Sequence, residues 1–288
     1  MAGPDNQKFC LQEVLDSFKS NFFLSPDVFA LGLLSLYTRF LLQLLAAVKQ
    51  IFSTPLLRSA YSASWLRKKH NNTMAGPENQ KFCLQEVLDS FKSCLSPNRE
   101  IYMEHYVAGW KGLIKLLNSL GSVFGFISKD AASKTQILMN FLDSKNGSEY
   151  ATVQSMVKFE LDNELVDVNK KGIYPESGCR TLLRLHRALR WLELFLDRLR
   201  TSKEDDKTSV MCREAYNESL AHHHPFMIRK AAGLAFYSLP GRPGFLEVMN
   251  VGSPEQVVAM LGEAVPLISE VYTITEELYQ KHNLLDLP

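Results

Sequence analysis

Between residues 83 and 282, apolar side chains recur every three to four positions, the period of an amphipathic α-helix. The stretch "CLQEVLDSFKSCL" (83–95) sets Leu84, Val87, Leu88, Phe91 and Leu95 on one stripe. The run 101–144 is too long for a single helix, and Gly121 and Gly125 mark the predicted break. Two further amphipathic runs follow, "EYATVQSMVKFELDNELVDV" (149–168) and "SGCRTLLRLHRALRWLELFLDRLRTS" (177–202), the second with Ser177 as its predicted N-cap. Helical patterning then covers 206–224 and 224–239, with Pro225 at the first turn of the latter. In the last run, 253–282, Ser253 caps, Pro254 opens the helix and Pro266 is expected to kink it. "SKNGS", "KKGIYPES" and "LPGRPG" read as turns. No stretch alternates with period two over any length, so the predicted class is all-α.

Upstream the pattern changes. Residues 1–20, "MAGPDNQKFCLQEVLDSFKS", return at 74–93 with one difference, Asp5 against Glu78. Structural repeats stack in threes or more and diverge, whereas this pair is nearly identical. The expected organisation is therefore an extra N-terminal segment, 1–73, and a functional body, 74–288. Within the extra segment an apolar run from Val28 to Val48 is long enough to cross a bilayer. Arg39 near its centre opposes insertion, at about 2.5–3.5 kcal/mol on insertion scales.

Composition narrows the function classes. The 288 residues are 46% hydrophobic with a formal net charge of +1, so no global basic field invites nucleic acid. The five cysteines form no CxxC pair and read as free thiols of a reducing compartment. The N-terminus is polar, so three N-x-S/T triplets read as chance matches rather than glycosylation sites.

Candidate chemistry sits where polar groups interrupt apolar faces. Asp130 and Lys134 are one helical turn apart. Arg180, Arg184 and Arg187 form a ladder on a leucine-rich helix, and His224 precedes a proline at a helix start. The phenylalanine-rich "GSVFGFI" lies directly upstream of Asp130. Each has an ordinary reading: a surface ion pair, a solvated basic face, or helix packing. Three adjacent histidines cannot converge on one metal, and no ligand spacing completes a zinc site. No GxSxG elbow supplies a nucleophile. Spacing alone supports a helical domain with one anion-binding patch.

Four separated segments, "WKGLIKLLNSLGSVFGFISKDAASK", "YPESGCRTLLRLHRALRWLELFL", "YNESLAHHHPFMIRKAAGLAFYSLP" and the closing "FLEVMNVGSPEQVVAMLGEAVPLISEVYTITEELYQKHNLLDLP", resemble the glycolipid transfer protein family in the right order. The resemblance runs from about Phe82 to Pro288. It implies a two-layer, all-helical sandwich that encloses a single lipid, with no catalytic residue and no cofactor or metal. It also implies a headgroup site made of Asp130, Lys134, Arg180, Arg184 and His224. The carboxylate and histidine would read the ceramide amide, and the cations the headgroup. Where sugar-carrying relatives have a tryptophan, this chain has Arg184, which matches the members that carry ceramide 1-phosphate. Arg187 has no headgroup role in that pattern.

The resemblance further implies a monomer in the cytosol. Its partners would be ceramide 1-phosphate and, transiently, the anionic cytosolic leaflets of Golgi, endosomal and plasma membranes, with no nucleic acid. Phe124, Phe126, Ile127 and Leu138 are candidates for lining the apolar sleeve, as are Phe195, Leu234, Phe236 and Val271. Trp110 and Phe226, with Lys170, Lys171, Arg229 and Lys230, are candidates for membrane docking. The alternative is a membrane-tethered sphingolipid sensor or adaptor that uses the same pocket, with 28–48 as its anchor.

Overall fold

A computed structural model of the chain describes residues 81–121, 124–166 and 176–287. The first copy of the repeated segment, the apolar run 28–48 and the turn 170–175 lie outside them. Among the described residues the fold is helical throughout, with two isolated β-bridges, Leu95 with Ile101 and Tyr102 with Thr152.

Among the described residues nine α-helices follow one another: α1 (Leu84–Lys92), α2 (Met103–Ser119), α3 (Gly125–Leu142), α4 (Val153–Asp162), α5 (Gly178–Thr201), α6 (Thr208–Glu218), α7 (Phe226–Phe236), α8 (Arg242–Val248) and α9 (Pro254–Lys281). Short 3₁₀ turns precede α4 and α7. The principal packing closes on itself: α1 lies on α2, α2 on α3, α3 on α5, α5 on α9, and α9 back on α1. The result is a two-layer, all-helical sandwich around a single apolar interior. Helix α5 is the hub, since α4 and α6 also pack on it.

Local sequence accounts for most of the boundaries. The stripe Leu84, Val87, Leu88 and Phe91 is buried, and α1 ends three residues short of Leu95 because the chain turns into a bridge there. Gly109 and Gly112 on α2 allow α1 to approach closely: a Cβ on Gly112 would lie 2.6 Å from Val87 Cγ2, and one on Gly109 2.8 Å from the Phe91 ring. The predicted break after α2 falls at Gly121, whose φ of 101° suits glycine. Ser177 caps α5 by accepting from the Arg180 amide, and Ser253 with Gln256 forms a reciprocal capping box at α9.

Several expectations need correction. Helix α4 covers only the middle of the predicted 149–168 run, because Thr152 and Ser155 form a capping box that starts it at Val153. The 206–224 run breaks after Glu218, and Pro225 occupies the N-cap rather than the first turn of α7. "LPGRPG", read as a turn, runs into a helix, with Gly241 at its N-cap, Pro243 in its first turn, and Phe245 and Leu246 buried. The extent expected for α9 stands: it is one helix with Pro266 in its interior. It is the one described helix long and apolar enough to cross a membrane, but its buried face, including Leu261, Ile268 and Val271, packs into the core.

Candidate functional site

The packing of α3 on α5 brings the predicted polar residues together. On α3, Lys134 Nζ donates to Asp130 Oδ1 at 2.5 Å, the lysine side chain 18% and the carboxylate 69% exposed. Across from them on α5, Arg180 is buried and Arg184 reaches the surface. Arg184 Nη1 donates to the backbone carbonyl of Arg180 at 2.8 Å, so the two arginines are tied to the same turn. Burial pulls the Arg184 pKa down from its usual value, Asp130 opposes that shift and Arg180 adds to it. The Asp130 carboxylate thus sits within the field of cations from both helices.

His224 joins them from the loop before α7, where it caps the 3₁₀ turn Ala221–His223. Burial lowers its pKa, and Asp130 opposes the shift, which places the imidazole near the same carboxylate. Its Nδ1 lies 2.8 Å from the Tyr216 hydroxyl on α6. Burial pushes the Tyr216 phenol up to about 12, so it stays protonated and can donate to the ring. When the phenol donates to Nδ1, the imidazole proton sits on Nε2. Tyr216 was not among the residues singled out in the sequence. Only the break after Glu218 folds its hydroxyl back onto a histidine eight positions later, and no local pattern announces that.

The other predicted residues divide. Phe124, Leu138, Phe195, Phe236 and Val271 are buried in the core, and Ile127 packs on its edge. Phe126 and Leu234, expected to line the sleeve, face outward; Leu234 is 58% exposed, because the buried side of α7 is taken by Ala232, Ala235 and Phe236. Trp110, expected at a docking surface, is 1% exposed, since it stands on the face of α2 that packs into the interior. Phe226 is 60% exposed, with Lys230 Nζ 5.3 Å from its ring centroid and Arg229 beside it at the surface. Lys170 and Lys171 lie outside the described residues. Arg187 donates to the Leu285 carbonyl at 2.5 Å, so it holds the C-terminal tail. Among the described residues no group of three or more His, Cys, Asp or Glu side chains could hold a metal ion.

Comparison with known proteins bears on this arrangement. A family profile described as Glycolipid transfer protein matches residues 101–251. The ceramide-1-phosphate transfer protein of Danio rerio is 67% identical over 207 residues, which cover 72% of this chain and 98% of that protein. The crystal structure of the mouse ceramide-1-phosphate transfer protein in its apo form superposes with a TM-score of 0.70 at 55% identity, covering 72% of this chain and all of the other. The human protein in complex with 12:0 ceramide-1-phosphate gives 0.69 at 53% identity over the same shares.

Proposed function

The chain belongs to the glycolipid transfer protein family, and we propose that within it this protein is a non-enzymatic carrier of ceramide 1-phosphate between membranes. The observation that carries the reading is a carboxylate, Asp130, set among Lys134, Arg180 and Arg184 with His224 beside it. Three cations less one carboxylate leave a local charge of +2. A phosphomonoester carries about −1.5 to −2 near neutral pH, so the balance fits a phosphate better than a neutral sugar.

The roles follow from the chemistry of each group. Asp130, exposed and acceptor-only, accepts a hydrogen bond from the ceramide amide N–H. His224, with its proton on Nε2, donates to the amide carbonyl. A glycerolipid has no amide and leaves both groups unserved. Arg180 and Arg184 offer planar forks for the phosphate oxygens and Lys134 adds a point charge. The hydrocarbon chains occupy the apolar interior, which Phe124, Leu138, Phe195, Phe236 and Val271 help to form. Exposing chains to water costs about 0.8 kcal/mol per CH₂, so the carrier must offer this interior as the lipid leaves the bilayer. Phe226, with Arg229 and Lys230, suits brief contact with an anionic leaflet. We further propose that residues 74–288 carry this activity and that 1–73 are not needed for it.

Vesicle-to-vesicle transfer tests the proposal. The full chain should move labelled ceramide 1-phosphate and not a glycosylceramide, and Arg184→Leu should abolish the movement. Equal transfer of both lipids, or transfer indifferent to Arg184→Leu, would refute the headgroup assignment. Binding of ceramide 1-phosphate without transfer would favour the tethered sensor instead.

A further inference from the structure

The first turn of α5 is held from behind by a buried carboxylate with no role in the site described above. Glu160 on α4 is 1% exposed. Its Oε1 accepts from the Gly178 amide at 2.6 Å and its Oε2 from the Cys179 amide at 3.0 Å. Tyr150 donates its hydroxyl to Oε1 at 3.2 Å. All three of these contacts come from donors, and the positive end of the α5 dipole compensates the charge. The two helices meet so tightly here that a Cβ on Gly178 would lie 2.5 Å from Met156 Sδ and 3.1 Å from Glu160 Oε1.

Two more contacts complete the clamp. Tyr279 on α9, fully buried, donates its hydroxyl to the Cys179 carbonyl at 3.0 Å, and Ser177 Oγ accepts from the Arg180 amide at 3.1 Å. The next residue is Arg180, and its carbonyl is the acceptor that holds the Arg184 guanidinium. Both headgroup arginines are therefore referenced to one turn, and α4 and α9 fix that turn.

We propose that Glu160 is a positioning residue for headgroup selectivity: by fixing the first turn of α5 it registers Arg180 and Arg184 to receive a phosphomonoester together. The proposal rests on the ceramide 1-phosphate reading above. Glu160 also occupies the free amides at the α5 N-terminus, which would otherwise attract an anion themselves. The phosphate is thereby left to the guanidinium groups. Glutamine at this position would turn an NH₂ toward one of two backbone N–H donors and push the turn away. Aspartate keeps the charge but falls one methylene short.

The test compares the full wild-type chain with Glu160→Gln and Glu160→Asp. Equilibrium binding is measured for ceramide 1-phosphate and for ceramide with the same chains, and thermal unfolding is recorded alongside. The readout is the ratio of the two affinities, which a general loss of folded protein does not change. Glu160→Gln should lower the preference for the phosphorylated lipid about tenfold, the effect of one displaced charge-assisted contact, with Glu160→Asp in between. An unchanged ratio, or equal weakening of both lipids, overturns the proposal. If Glu160→Gln does not fold, Tyr279→Phe decides: it keeps the ring, loses the bond to Cys179, and should shift the ratio in the same direction. No shift in that variant overturns the proposal equally. A wild-type chain with no preference for the phosphorylated lipid would overturn the functional reading itself, which is a separate result.

Discussion

The contact between α1 and α2 makes the same substitution come out with opposite signs at two places. Gly112 lies inside α2, where replacing glycine by alanine ordinarily stabilises a helix by about 0.5–1 kcal/mol. Here, however, the new Cβ would stand 2.6 Å from Val87 Cγ2, far inside normal contact. Val87 is fully buried on α1 and β-branched, so it has one comfortable rotamer in a helix and cannot swing aside. Forcing a methyl into a packed interface costs about 1–3 kcal/mol, which outweighs the helical gain. Gly112→Ala should therefore be net destabilising by about 1–2 kcal/mol, a fall of roughly 2–8 °C in melting temperature for a domain of this size. Gly233 in α7 is the control, because a Cβ added there would meet nothing within 4 Å. Gly233→Ala should raise the melting temperature by roughly 1–4 °C. Thermal unfolding followed by circular dichroism measures both. The double variant Gly112→Ala with Val87→Ala isolates the clash, since removing Cγ2 makes room for the new methyl. It should be more stable than Val87→Ala alone by about the 0.5–1 kcal/mol helical gain. A rise in melting temperature for Gly112→Ala matching that of Gly233→Ala would refute the close-approach argument.

Two other outcomes follow from burial. His186, His223 and His224 all have pKa values lowered from 6.5, in each case chiefly by burial, His223 to about 4. Their folded-state pKa values lie below the unfolded value, so the unfolded chain takes up protons first. Stability is then full above pH 6.5 and declines as pH falls from there toward 4. Melting temperatures measured from pH 8 to pH 4.5 should show that decline, and a flat profile down to pH 5 would contradict it. Trp110 and Phe226 should separate stability from membrane contact. Trp110→Ala should cost about 3–5 kcal/mol in urea unfolding, as for other buried aromatics. Phe226→Ala should leave the unfolding curve in place and weaken sedimentation with anionic vesicles; the reverse pattern would mean that the two exposures have been misassigned.

The residues that disclosed themselves in the sequence did so through local physics. Ser177 and Ser253 precede their helices because a hydroxyl three positions from an open amide makes the same bond wherever the helix lies. The α1 stripe is legible for a similar reason, since spacing alone decides which side chains share a face. Asp130 and Lys134 meet as an i, i+4 pair whatever surrounds them. "LPGRPG" misled because Pro and Gly signal turns, whereas Gly241 ends up at the N-cap of α8 and Pro243 in its first turn, positions that tolerate them. Phe126 and Leu234 misled in another way: they are apolar and suitably spaced, yet α3 and α7 each have another face that meets the core.

The sequence by itself therefore settled the helical class, the caps at Ser177 and Ser253, the break at Gly121 and the identity of the polar residues on each helix. It could not settle which of those residues meet. Whether Trp110 faces a membrane or the interior depends on what packs against α2. His224 joins Asp130 only because the chain reverses after α6, and Glu160 reaches the amides before Arg180 only because α4 lies across the end of α5. Helical periodicity records that a face is buried, but the partner of that face comes from distant parts of the chain. The approach of Arg184 and His224 to Asp130 is accordingly a property of the tertiary packing.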